Sequence, residues 1–171
     1  FGDNLTINIP DTVTKIEDRV FFYYTRVPYI FDDGTTRGTY IIIPDSVTLI
    51  GAGAFNGCSS LESITLPFVG SRTGVTRSSP YQYPLGYIFG TSSYAGSTEI
   101  QQYYYGSSTS SGTSGYFYIP STLRSVTITG GYIPYGAFYN CNMLTSVTLG
   151  DSVTSIGSEA FYNCSSLTSI T

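Results

Sequence analysis

At 171 residues with 41% hydrophobic side chains, the chain is long enough for one ordinary domain with a packed core. Only 11% of its residues are charged, and the net charge of −4 leaves seven cations scattered from Lys15 to Arg124, which excludes a basic field and with it nucleic acid as a partner. The absence of His removes the commonest general base and the His-dependent zinc sites, and no apolar run approaches the roughly 18 residues of a membrane helix, so no membrane insertion is expected within this segment.

Taken in chain order, six short segments carry strand patterning: 5–9, 40–43, 61–66, 123–128, 144–149 and 167–170. In Leu61-Glu62-Ser63-Ile64-Thr65-Leu66 the period of two around Ile64 and Leu66 predicts a strand with Ser63 and Thr65 on its other face, ended by Pro67, which has no N–H for a ladder. After the strands come Pro10-Asp11-Thr12-Val13, Pro44-Asp45-Ser46-Val47 and, without the proline, Asp151-Ser152-Val153; Asp11, Asp45 and Asp151 thus share one repeat position where a turn residue is expected. Val47, Ile50, Ala54, Phe55 and Cys58 then fall at spacings of three and four, which suits a turning or briefly helical return toward the strand.

These segments form a repeat. Ala137-Phe138-Tyr139-Asn140-Cys141 recurs 23 residues later as Ala160-Phe161-Tyr162-Asn163-Cys164, with Ala54-Phe55-Asn56-Gly57-Cys58 as a third copy. One coil cannot cover its own apolar face, but stacked coils do, with like residues about 4.8 Å apart along a parallel sheet. Two units are expanded, by insertions at about 22–39 and 68–118, and Leu85-Gly86-Tyr87-Ile88-Phe89 inside the second still echoes the Ile-Gly-x-x-Ala-Phe return. The reading is a single solenoid segment over 1–171 with about six coils; starting at Phe1 and stopping at Thr171 within a unit, it reads as a piece of something longer.

The pattern resembles the BspA-like, treponemal-type leucine-rich-repeat proteins with 23-residue units, on Ile43-Pro44-Asp45-Ser46-Val47, Ile156-Gly157-x-x-Ala160-Phe161 and Cys164-Ser165-Ser166-Leu167-Thr168-Ser169-Ile170-Thr171. The resemblance implies a right-handed leucine-rich-repeat solenoid of the α/β horseshoe type, with mostly short parallel strands and little helix. It further implies a bacterial cell-surface or secreted protein, relatives that act as adhesins on host or matrix proteins, and no enzyme activity.

No phosphate loop, dinucleotide fingerprint, nucleophile elbow or metal-ligand cluster is present, and neither a cofactor nor catalysis is expected. A glycosidase-like carboxylate pair depends on three-dimensional spacing and has no sequence signal. Cys58, Cys141 and Cys164 share one repeat position and are expected to be buried thiols pointing in parallel into the core. Asp32-Asp33-Gly34 lacks the acids of a calcium loop and reads as a hairpin turn. Asn4-Leu5-Thr6 and Asn163-Cys164-Ser165 match the glycosylation triplet by coincidence.

Binding is expected in one of two places. The outward strand positions form rows, Ser63, Ser125, Ser146 and Ser169 beside Thr65, Thr127, Thr148 and Thr171, which read either as a hydroxylated docking face or as a plain solvated sheet. The large insertion is different: between Ser78 and Leu123 the only charge is Glu99, while nine of the 17 tyrosines lie there. Residues 103–105 and 116–118 are expected to pair as a hairpin around the flexible stretch 106–115. Tyr94, Tyr103, Tyr104, Tyr105, Tyr116 and Tyr118 are the candidate ligand-binding residues, because Tyr with Ser and Gly is the composition of antibody paratopes; the competing reading is that they pack as a lid on the solenoid. Phe22, Tyr23, Tyr24 and Tyr29 in the smaller insertion carry the same two readings. The expected function is an extracellular binding or adhesion module for a host or matrix protein or a glycan, the alternative a passive spacer in a larger surface protein.

Overall fold

The computed structural model describes residues 5–22, 29–30, 36–106, 108 and 112–171. In chain order the strands are β1 (Leu5–Asn8), β2 (Lys15–Ile16), β3 (Tyr29–Ile30), β4 (Thr36–Arg37), β5 (Thr39–Ile42), β6 (Leu49–Ile50), β7 (Leu61–Leu66), β8 (Ser97–Tyr104), β9 (Thr113–Pro120), β10 (Ser125–Ile133), β11 (Ser146–Ile156) and β12 (Ser169–Ile170). Six of them make one sheet in the order β1-β5-β7-β10-β11-β12, every pairing parallel, so each coil adds one strand beside the last. The little helix that was expected is a single 3-10 turn at Leu85–Ile88 among the described residues. This is a strand-rich leucine-rich-repeat solenoid.

Register is set by the alternation. Ile7, Ile41, Ile64, Val126, Val147 and Ile170 stand side by side as one inward row, and Ser63, Ser125, Ser146 and Ser169 form the outward row beside it. A one-residue slip would exchange the two rows, which burial of the apolar row forbids. The turns behind the sheet are chains of i to i+3 bonds: Asn56 N–H donates to Gly53 O at 3.0 Å and Cys58 N–H to Phe55 O at 3.2 Å, as Tyr139 N–H does to Gly136 O at 3.0 Å and Cys141 N–H to Phe138 O at 3.0 Å. The residue before each cysteine takes a left-handed backbone, with φ of 85° at Gly57, 61° at Asn140 and 54° at Asn163, a conformation that favours the Gly or Asn found there.

Strand length follows the prolines. Where Pro10, Pro44 and Pro67 stand, β1, β5 and β7 end at Asn8, Ile42 and Leu66; where Thr129 and Gly150 replace proline, β10 and β11 run on to Ile133 and Ile156 through irregular register after Ile128. Asp151 therefore lies inside β11 and not in a turn, unlike Asp11 and Asp45, which do occupy turns. The same two strands start two residues later than their patterning suggests. Leu123 N–H and Leu144 N–H close turns onto Pro120 O at 3.1 Å and Cys141 O at 3.2 Å, as Leu61 N–H does onto Cys58 O at 3.2 Å at the start of β7.

The core is one cluster running the length of the stack. Phe21 stacks on Phe55 and Phe138 on Phe161, each pair at 5.1 Å and 5° between planes. Phe89 joins them at 6.4 Å from Phe55, and Phe55 N–H donates to Ile88 O at 2.9 Å just as Phe21 N–H does to Ala54 O at 2.8 Å, so the 3-10 turn fills a return position of the expanded coil. Cys58 and Cys141 are buried thiols and Cys164 is half-buried. In the smaller insertion β3 and β4 pair antiparallel. Asp32-Asp33-Gly34, Tyr23 and Tyr24 lie outside the described residues.

Candidate binding site: an inserted hairpin and the cleft beside it

The large insertion folds back as the antiparallel hairpin β8–β9, in which Glu99 pairs with Tyr118, Gln101 with Tyr116 and Tyr103 with Ser114. Its two faces alternate through the middle of the hairpin. Ile100, Gln102, Phe117 and Ile119 are buried toward the solenoid, while Glu99, Tyr103, Ser114 and Tyr116 are exposed on the other face. The two tyrosine triplets do not pair with each other as expected: Tyr103 and Tyr104 lie opposite Ser114 and Thr113, and Tyr116 to Tyr118 lie opposite Gln101 to Glu99. Tyr105 falls outside β8, and 113–115 belong to β9, in a register that buries Ile100 opposite Phe117.

The hairpin is fastened by polar groups. Gln102 is fully buried: its Oε1 accepts from Gly86 N–H at 2.8 Å, and its Nε2 donates to Tyr139 O at 3.0 Å and to Cys141 Sγ at 3.5 Å. Asn140 Nδ2 donates to Gln101 O at 2.7 Å and Tyr118 N–H to Gly90 O at 3.0 Å. Gly86 permits this approach, since a Cβ there would lie 2.5 Å from Phe117 Cβ.

The six candidate tyrosines do not form one site. Tyr103 and Tyr116 share the outward face, 39% and 53% exposed, and half-buried Tyr118 lies on that face with its hydroxyl donating to Glu99 Oε2. That hydrogen bond, more than desolvation, raises the Tyr118 hydroxyl above the usual tyrosine range. Tyr104 turns inward, packing on Tyr83 at 5.8 Å and Phe117 at 5.8 Å. Tyr105 stacks on Tyr135 at 4.3 Å. Burial, then the hydrogen bond to Glu159 at 2.9 Å, pushes Tyr135 up to about 12. Tyr94 is a core residue; burial raises its hydroxyl far above the ordinary range, and that hydroxyl has no hydrogen-bond partner among the described residues.

Two features are not legible from the insertion. Tyr139 and Tyr162, at one repeat position, extend the outward face: Tyr103 lies 5.0 Å from Tyr139, which stacks at 4.7 Å on Tyr162, itself 55% exposed. The available signal was an aromatic recurring after the core Phe of the unit. The second feature is a cleft of about 530 Å³ lined by Tyr83, Tyr87, Tyr104 and Phe117 together with Asp18 and Arg19. Asp18 and Arg19 come from the first coil, more than 60 residues from Tyr83, and carry no sequence signal.

Among the described residues no group of three or more His, Cys, Asp or Glu stands close enough to hold a metal, and no helix is long and apolar enough to cross a membrane. Asp11 and Asp45 line one shallow recess on stacked turns, where Asp45 accepts from Thr129 Oγ1 at 2.5 Å.

No curated protein matches the chain. Among solved structures it is similar to a leucine-rich repeat protein from Bacteroides ovatus, at 25% identity and a TM-score of 0.39 over 95% of this chain and 35% of that one. It is also similar to the T. pallidum leucine rich repeat protein, at 18% identity and a TM-score of 0.37 over 99% of this chain and 59% of that one. The chain thus spans about a third and about three-fifths of those two proteins. The profile described as BspA type leucine rich repeat region matches in six copies over residues 27–74 and 131–171. With that match carried by the same strand-and-return units that build the sheet, the chain belongs to the BspA-type leucine-rich-repeat family.

Proposed function

We propose that the chain is a non-catalytic, extracellular adhesion module that binds a protein partner through the outward face of the β8–β9 hairpin and the tyrosines continuing it. The reading treats residues 1–171 as one solenoid segment with insertions at about 22–39 and 68–118. Leucine-rich-repeat proteins bind proteins or serve as structural repeats, and members of this family are generally bacterial surface or secreted proteins. The observation that carries the proposal is the run Tyr103, Tyr139, Tyr162, with Tyr116 on the same hairpin face, displayed on a base pinned by buried Gln102. Exposed tyrosines held rigidly supply contact area at little entropic cost, and anchors of this type cost more than about 1 kcal/mol each when truncated.

The test is surface plasmon resonance of the chain over immobilised extracellular-matrix proteins, with Tyr103→Ala, Tyr116→Ala and Tyr162→Ala combined. Binding to a matrix protein should weaken by about tenfold or more while the circular dichroism spectrum is unchanged. A partner bound equally well by the triple variant would remove this face from the site. The monotonous outward rows Ser63, Ser125, Ser146, Ser169 and Thr65, Thr127, Thr148 favour the second reading, a passive spacer, for the sheet face itself.

A further inference from the structure

The cleft beside the hairpin is distinct from the tyrosine face, and Tyr104 is the one candidate tyrosine that lines it. We propose that it is a carbohydrate-binding site that takes a neutral pyranose unit of a glycan.

Its wall is a connected series of rings brought together from separate segments. Tyr83 and Tyr87 lie 4.5 Å apart before and within the 3-10 turn, Tyr83 meets Tyr104 of β8 at 5.8 Å, and Tyr104 meets Phe117 of β9 at 5.8 Å. A pyranose has an apolar face of C–H groups that such rings cover and an equatorial belt of hydroxyls that they cannot. The rest of the lining serves that belt: the Asp18 carboxylate accepts, the Arg19 guanidinium donates, and the Thr91 and Ser92 hydroxyls do either. Among the described residues one acid and one base line the cleft, which leaves it without excess charge and offers an anion no cation cluster; a wholly apolar ligand would leave the polar part of the lining unused. A volume of about 530 Å³ falls in the range of small-ligand sites, whereas a protein partner needs about 800 Å² of contact on each side.

The backbone at the cleft is already committed. Gly53 N–H donates to Tyr87 O at 2.9 Å, Gly90 N–H to Gly86 O at 2.9 Å, and Gly90 O accepts from Tyr118 N–H at 3.0 Å. With Gly53, Gly90 and Tyr118 engaged in this way, recognition in the cleft falls to the side chains that line it. The lining is also held in place before any ligand arrives. Asp18 Oδ1 accepts from Ala52 N–H at 2.9 Å, and Asn56 Nδ2 clamps the 89–92 loop by donating to Phe89 O and Ser92 O, each at 2.8 Å. Gly53 and Gly90 touch so closely that a Cβ on Gly90 would sit 3.0 Å from Gly53 Cα, which fixes the spacing of the two coils beneath.

Saturation-transfer-difference NMR on the chain tests this, with the methyl glycosides of galactose, glucose, mannose and N-acetylglucosamine, and with glucuronic and sialic acid as acidic probes. At least one neutral glycoside should receive saturation, strongest on the C–H groups of one ring face. Tyr83→Ala should weaken that signal about tenfold. Thr91→Trp, at an exposed lining position, should do the same by filling the cleft, and needs no core residue changed. Tyr116→Ala, on the outward face, should leave the signal intact, which separates this site from the protein-binding face. Absence of transfer to every neutral probe, transfer to acidic probes only, or a signal that survives Thr91→Trp in a protein with an unchanged melting curve would overturn the assignment.

Discussion

Gln102 shows how one polar residue in an apolar setting can decide the placement of an element. Its amide satisfies Gly86 N–H and Tyr139 O, two backbone groups from different coils that would otherwise be buried without partners. Gln102→Leu conserves volume but strands both, and should cost about 2–4 kcal/mol in urea unfolding, with faster amide exchange across 97–120 than in β7. A titration prediction follows from the tyrosines. Tyr135 is raised to about 12, by burial first and Glu159 second, and Tyr94 is raised further by burial, whereas both ionise near 10.0 when exposed. A raised native value means the folded state holds the proton more tightly. The contribution is therefore fully present below pH 10.0 and is lost as pH rises through the native values, so unfolding midpoints should be flat up to that pH and fall above it. Urea melts across the alkaline range, read beside tyrosinate absorbance, check both the onset and the sign. A midpoint that rises above that pH would contradict it.

Among the elements, the return turns and not the strands hold the largest buried side chains. Phe138 is fully buried and stacked on Phe161, whereas Phe161 keeps partial exposure in the last full return. Phe138→Ala should cost about 3–5 kcal/mol, and Phe161→Ala measurably less, because the cavity left in the outer coil is open to solvent. Chemical denaturation of the two variants distinguishes a stacked ladder from a set of equivalent, independent contacts. The hairpin illustrates the reverse dependence. Its two aromatic triplets announced a hairpin, but the register and the face turned inward were set by the solenoid: Gln102 and Phe117 fit beside Gly86, and Tyr103 and Tyr116 were left outside. Tyr94 was named on composition as a ligand contact and is a core side chain, since a ring that fills a gap between coils has the same local sequence as one displayed to solvent.

Across the whole molecule, stability should be graded, as expected where each coil contacts only its neighbours. Residues of β7 and the first half of β10 are flanked by strands on both sides and sit over a closed core, while most residues from Asp151 to Thr171 are exposed. Native-state hydrogen exchange should be slowest at Ile64 and Val126 and fastest at Ile170; uniform protection would mean a globular core in place of a stack. The amino-acid sequence alone determined the coil: a 23-residue recurrence of Ile, Phe and Cys positions, prolines that stop strands, and Gly or Asn at a left-handed turn are local signals that repeat, so they add up. The tertiary structure alone decided the surfaces. Asp18 lines one cleft with Tyr83 and Phe117, and Tyr103 meets Tyr139, which meets Tyr162, only because stacking sets residues from different coils side by side, and no local pattern encodes a neighbour that far along the chain.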